Sequence, residues 1–87
     1  MTIIINESAL KRKEISEEDI LQALAFPLVD RLMPEYRNKY LLIGFDRKGN
    51  LLEIMYNIRS DGGYNVFHAM KCRKEFYHLA EESIYNV

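Results

Sequence analysis

Only one cysteine occurs in the chain, Cys72, so an internal disulfide framework is excluded. One cysteine and two histidines also fall short of a structural zinc set unless acidic ligands join them. There is no Gly-rich phosphate loop followed by Lys and Ser or Thr, no dinucleotide fingerprint, no nucleophile elbow and no histidine pair at metal-binding spacing. Long apolar runs are missing too. No segment approaches the roughly 18 to 20 apolar residues that cross a bilayer, and Met1 to Ile5 is too short for a signal peptide. These absences lead us to expect a cytoplasmic, unexported protein with no membrane association, no metal and no cofactor.

An excess of charge of one sign is lacking as well. The net charge of −1 is not that of a nonspecific nucleic-acid binder. The charges are nonetheless segregated: Glu17, Glu18 and Asp19 stand together, as do Lys11, Arg12 and Lys13, and Lys71, Arg73 and Lys74 form a second basic group. A locally basic face on a near-neutral protein is compatible with this arrangement. What is present is the composition of an ordinary globular domain, 48% apolar and 29% charged over 87 residues. A chain of this length forms one domain, 1–87, and hides only about two thirds of its unfolded surface, so a dimer or a bound partner would add stability.

Local patterns predict an α+β fold. Thr2 to Ile5 is a short β-branched strand, closed by Asn6, which is placed to cap a short helix over Glu7 to Lys13. Ser16 and Asp19 make a capping box, flanked by Ile15 and Ile20 as a hydrophobic staple. A helix should follow from about Glu17 to Ala25, ending where Phe26 precedes Pro27. Strands are then expected at Leu28 to Met33, Lys39 to Asp46, Leu51 to Ile58 and Tyr64 to Met70, and a last helix from Cys72 to about Glu82. The expected architecture is a small antiparallel sheet of three to five strands with two N-terminal helices and one C-terminal helix packed on it.

Register follows from the turns. A two-residue turn at Lys48-Gly49 sets Phe45 opposite Leu52, Ile43 opposite Ile54 and Leu41 opposite Tyr56, gathering one apolar face. A five-residue loop from Arg59 to Gly63, with Gly62 and Gly63 free to take positive φ, then sets His68 opposite Ile54 on that apolar face. The other face carries Glu53, Asn57, Asn65 and Lys71 beside Leu42, Met55 and Phe67, a mixture that implies a partial cover.

The stretch "FHAMKCRKEFY", residues 67–77, concentrates groups able to handle a phosphate. Cleavage of RNA without a metal needs a base for the ribose 2′ proton, cations for charge growing on the phosphate, and an acid for the departing 5′ oxygen. His68, Lys71, Arg73 and Tyr77 supply suitable groups, Glu53 could serve as a base, and Arg31, Lys39 and Arg59 can add cations. Each also has a plainer reading: His68 as a buried core histidine, Lys71 and Arg73 as solvated residues at a strand end and a helix start, Tyr77 as packing, Glu53 as an ion-pair partner, and Cys72 as a buried, inert thiol.

The chain resembles the BrnT family of bacterial toxins. The resemblance runs through "SALKRKEISEEDILQALAFPLVD" (8–30), "LLIGFDRKGNLLEIMY" (41–56) and "VFHAMKCRKEFYHLAE" (66–81), which are similar to that family's polar lead-in to a helix, its Ile-Gly strand and turn, and its Ser-Ala-Arg strand with a basic final helix. It implies a RelE-like fold and a ribonuclease acting on messenger RNA, restrained by a cognate antitoxin of the ribbon-helix-helix type. Lys13 stands where the family usually has a histidine, His68 replaces the Ser of the Ser-Ala-Arg strand and Met70 its Arg, which implies a relocated active site or lost catalysis. On this reading His68, Arg73 and Tyr77 are the catalytic residues, and Lys71, Lys13, Arg31 and Lys39 bind substrate. RNA, the antitoxin and a second copy of the chain are the expected partners. The alternative is a noncatalytic protein-binding or oligomerisation module of the same fold, using the sheet face around Leu42, Met55 and Phe67.

Overall fold

The computed structural model describes residues 1–85. Five strands, β1 (Ile3–Ile5), β2 (Pro27–Leu32), β3 (Tyr40–Phe45), β4 (Leu51–Ile58) and β5 (Tyr64–Lys71), form one sheet in the order β1-β5-β4-β3-β2. A 3₁₀ turn at Glu7–Leu10 and helix α1 (Glu17–Ala25) lie between β1 and β2 in the chain. A second 3₁₀ turn, Lys74–Phe76, leads into helix α2 (Tyr77–Tyr85). The α+β class is as expected, but two features are corrected. The sheet is mixed, because β1 runs parallel to β5, and the first predicted helix is only a 3₁₀ turn. Asn6 caps nothing with its side chain, which instead donates to Asn65 Oδ1 at 2.8 Å.

Helix α1 forms where the sequence marks it. Ser16 accepts from the Asp19 backbone N–H, and the Asp19 carboxylate accepts in return from the Ser16 backbone, completing the capping box. Ile15 and Ile20 are both buried behind it. The Arg47 side chain reaches the same carboxylate at 3.1 Å, tying the β3–β4 loop to the helix start. Burial pushes the Asp19 carboxyl up, but the hydrogen bonds from Arg47 and Ser16 outweigh it and hold the group down at about 2. Gly44 lets the helix approach the sheet: a Cβ there would stand 2.7 Å from the Ala23 carbonyl oxygen.

Both sheet faces are apolar because both are covered. Ile20 and Ala23 of α1, with Ala9 and Ile15, pack on Leu42, Leu52, Ile54, Tyr56, Val66 and Ala69. On the opposite face Ala80, Leu79 and Phe76 pack on Leu41, Ile43 and Met55. A strand buried on both sides reads as a nearly continuous apolar run, which is how "LLEIMY" reads.

The register differs from the one derived from a two-residue turn. Asp46 accepts from the backbone N–H groups of Lys48 and Asn50 and pairs with Asn50 through the main chain, so three residues, Arg47 to Gly49, make the loop. Gly44 therefore faces Leu52 and Leu42 faces Ile54. In the next hairpin Gly62 takes a φ of +84°, whereas Gly63 is needed for space, since a Cβ there would lie 2.1 Å from the Thr2 carbonyl oxygen. That close approach seats β1 beside β5, with Tyr64 N donating to Thr2 O at 2.8 Å.

One further irregularity decides where the candidate site lies. Between β4 and β5, Val66 faces Tyr56 and His68 faces Met55, leaving Phe67 as an extra residue in a β-bulge. The bulge moves His68 off the α1-covered face, where regular pairing opposite Ile54 would have put it, and onto the face that carries Glu53. His68 is therefore not the core histidine of the apolar face.

Candidate functional site

The site is built around Glu53, in the middle of β4, whose side chain has no solvent exposure. A carboxylate in such a place is strongly disfavoured unless its oxygens are paired. Here Oε1 accepts from the Arg73 backbone N–H and from Arg73 Nε, both at 2.9 Å. Oε2 accepts from Arg73 Nη2 at 2.8 Å and from His68 Nε2 at 3.0 Å. The two-point Arg–carboxylate fork is the strongest form of such a pair. Burial, the largest influence, raises the Glu53 carboxyl, but the hydrogen bonds from Arg73 and His68 more than reverse it and leave the group below its ordinary range. The same pairing raises Arg73, so both partners stay charged.

The pairing fixes the histidine's chemistry. An ionised carboxylate only accepts, so Nε2 of His68 carries the proton and, in the neutral ring, Nδ1 is the basic nitrogen. The His68 side chain is 24% exposed, enough to meet a ligand. Arg73 is positioned at the strand-to-turn junction after β5, its guanidinium lying over the Phe76 ring at 5.2 Å. With two of its five N–H groups on Glu53, the 42%-exposed side chain retains an outer edge for an anion. The site can therefore orient a proton-transfer group beside a fixed cation.

The other expected residues are distributed unequally. Arg31 and Lys39 lie on the Glu53 face by register, Arg31 opposite Leu41 and Lys39 at the entrance to β3. Arg31 lines a cleft of about 270 Å³ with Met33, Leu41, Phe76 and His78. Lys39 Nζ stands 4.3 Å from the Tyr36 ring centre and 6.0 Å from that of Phe67. Lys71 pairs with Leu52 and so belongs to the opposite face, and Lys13 is exposed beyond the first 3₁₀ turn, on the side that packs with α1. Neither meets His68. Tyr77 lines a separate apolar cleft with Leu28, Phe45, Leu51, Ala80 and Ile84. Arg59 is taken by Asp61 at 3.2 Å.

Glu53 is the residue that sequence reasoning undervalued. The signal that could have found it is a lone acid inside an apolar run flanked by strand residues, which in a sheet covered on both faces has no route to water. Arg12 was also missed as a structural element: with Ser8 it caps the outer edge of β5, Ser8 Oγ donating to Phe67 O at 2.7 Å and Arg12 Nη1 reaching Ala69 O at 3.5 Å. Cys72 is buried, and burial together with the nearby Glu53 charge pushes its thiol up to about 11, so it is protonated and inert at neutral pH. Leu42 packs under α1 while Met55 and Phe67 belong to the other cluster, so the three do not form the single binding face expected of them. Among the described residues no helix is long and apolar enough to cross a membrane.

Comparison of the chain with protein-family models, with curated proteins and with solved structures gives no match in any of the three.

Proposed function

We propose that the protein is a toxin-like ribonuclease that cleaves RNA without a metal, with His68 as the proton-transfer group and Arg73 as the phosphate-binding cation. The observation that carries this reading is the Glu53 carboxylate holding both side chains at once, 3.0 Å from His68 Nε2 and 2.8 Å from Arg73 Nη2. A buried acid that orients a partly exposed imidazole is the arrangement acid–base catalysis needs. Nδ1 of His68 takes the proton of the ribose 2′-hydroxyl as the 2′ oxygen attacks phosphorus. The outer edge of Arg73 neutralises the extra charge on the phosphate oxygens, and the imidazolium returns its proton to the 5′ oxygen as the P–O5′ bond breaks. The products are a 2′,3′-cyclic phosphate and a free 5′-hydroxyl.

Tyr77, Lys71 and Lys13 have no part in this scheme; Arg31 and Lys39 remain as substrate-binding cations on the same face. A cognate antitoxin and a cytoplasmic setting belong to the same proposal. The test is product analysis: the purified protein, incubated with RNA in excess chelator, should yield 2′,3′-cyclic phosphate ends and spare a strand whose nucleotides lack the 2′-hydroxyl. Cleavage that leaves 3′-hydroxyl ends would contradict the mechanism.

One observation favours a noncatalytic module as the second reading. Phe45, Tyr77 and Ile84 are exposed around an apolar cleft of about 210 Å³, a feature that suits a protein partner. A protein that leaves host growth untouched at high expression and leaves RNA intact would point to that reading.

A further inference from the structure

The Glu53 face carries a second group of side chains. Lys39 Nζ lies over two rings, 4.3 Å from the centre of Tyr36 and 6.0 Å from that of Phe67. Tyr36 is 46% exposed, and Phe67 is half-buried against the Met55 cluster. Among the described residues, no carboxylate oxygen lies within 4.0 Å of the Lys39 ammonium. Phe67 adjoins His68 in the chain, and the bulge puts both on this face. Beside them runs a polar ladder: Asn6 Nδ2 donates to Asn65 Oδ1 at 2.8 Å, Asn65 Nδ2 to Asn57 Oδ1 at 3.5 Å, and Asn57 Nδ2 to the Asn38 carbonyl.

We infer that Tyr36, Lys39 and Phe67 form a nucleotide subsite next to His68, in which an unpaired base stacks on the Tyr36 face turned away from the Lys39 ammonium, and the ammonium, backed by Phe67, meets the adjoining phosphate. The choice of RNA as the polymer rests on the ribonuclease reading. The class of ligand follows from the chemistry. Every base offers a π-face to an exposed ring, and a flanking cation selects an anionic backbone. A hydrophobic peptide would waste the unpaired ammonium and the amide ladder. A duplex buries its bases in the stack and presents no free face to Tyr36. Tyr36 and Phe67 are thus positioning residues for the nucleotide beside the scissile phosphate, which confines the enzyme to single strands.

The test is equilibrium binding of the full chain to a fluorescent 2′-O-methyl oligouridylate, which lacks the attacking hydroxyl and is not cleaved. Three partners are compared: the single strand, the same strand carrying abasic positions, and the duplex. Tyr36→Leu, at an exposed position, should weaken single-strand binding about tenfold, within the range known for one stacked base, and should leave binding of the abasic strand unchanged. Lys39→Met should weaken both strands and flatten the salt dependence. Thermal melts of each variant identify loss through unfolding, which would lower abasic binding as well. Equal affinity of wild type and Tyr36→Leu for the single strand overturns the subsite. Base-dependent binding by a protein that never cleaves RNA would sustain the subsite and sink the His68 chemistry. Cleavage with no dependence on Tyr36 in KM or in binding would do the reverse.

Discussion

Arg73→Met removes both guanidinium hydrogen bonds from Glu53 and leaves a carboxylate with no solvent exposure held only by the Arg73 main chain and His68. Breaking a buried ion pair from one side costs about 3 to 5 kcal/mol, and since the arginine side chain is itself 42% exposed, the lower end, about 3 kcal/mol, applies. A domain of this size has a total stability of roughly 4 to 13 kcal/mol, so the loss is a large fraction of it. At about 4 to 8 °C per kcal/mol for a small domain, melting should fall by about 12 to 24 °C. The effect should depend on pH. Because the paired Glu53 carboxyl gives up its proton at lower pH in the folded than in the unfolded chain, the pair stabilises the fold fully above the ordinary glutamate value of 4.5, and the contribution fades as acid titrates the folded carboxyl. The gap between wild type and Arg73→Met should therefore narrow as pH falls below the ordinary glutamate value of 4.5. The double variant Glu53→Leu with Arg73→Met should be more stable than Arg73→Met, because it leaves no unpaired charge, but should stay about 1 kcal/mol or more below wild type, because the residue-73 main-chain N–H and His68 Nε2 lose their acceptor. Urea unfolding at pH 7 and at acidic pH measures all three. An Arg73→Met variant within about 0.5 kcal/mol of wild type at neutral pH would refute the view that this pair joins the sheet to its closing turn.

Four further outcomes follow from other parts of the fold. Asp19→Ala removes the capping box and the Arg47 contact together and should cost about 1 to 2 kcal/mol in denaturant melts; in wild type the same stabilisation is complete above the ordinary carboxyl range and is lost as pH falls toward about 2. Gly44→Ala drives a methyl to 2.7 Å from the Ala23 carbonyl oxygen and should destabilise by about 1 to 3 kcal/mol in the same melts. Cys72 should resist alkylation at pH 8 until the chain is unfolded, as its thiol sits near 11. Tyr77→Phe should leave RNA cleavage rates within about twofold of wild type, since its hydroxyl is not needed by a mechanism in which His68 carries the proton.

How much of this could be read from residues alone varies with the range of the interactions. Helix α1 was legible to both its ends because its signals are local: Ser16 and Asp19 at one end, Phe26-Pro27 at the other. The hairpins were legible from their turn residues. Register was not, because a side chain, that of Asp46, lengthens the β3–β4 loop by one residue and so exchanges the two faces of a strand. The parallel pairing of β1 with β5 depends on contacts some sixty residues apart and on Gly63 admitting the Thr2 carbonyl, neither of which leaves a periodic trace. The candidate site was half legible. His68 and Arg73 stood out by residue type, but their meeting point, Glu53, looks in the sequence like one solvated acid on a mixed face, and the bulge at Phe67 that turns His68 toward it carries no Gly or Pro to announce it. Closeness in sequence groups Lys71 with them and the family resemblance groups Lys13 with them, and strand alternation and the path of the first 3₁₀ turn undo both.

The proposed reaction stands on one group, the imidazole anchored on Glu53, moving the proton during RNA cleavage. The most direct measurement is the single-turnover cleavage rate in chelator of wild type and of His68→Ala, both checked for intact folding. A fall of about a hundredfold or more is expected in the variant, the scale of lost general acid–base catalysis. Equal rates in the two proteins, or no cleavage by either, would contradict it.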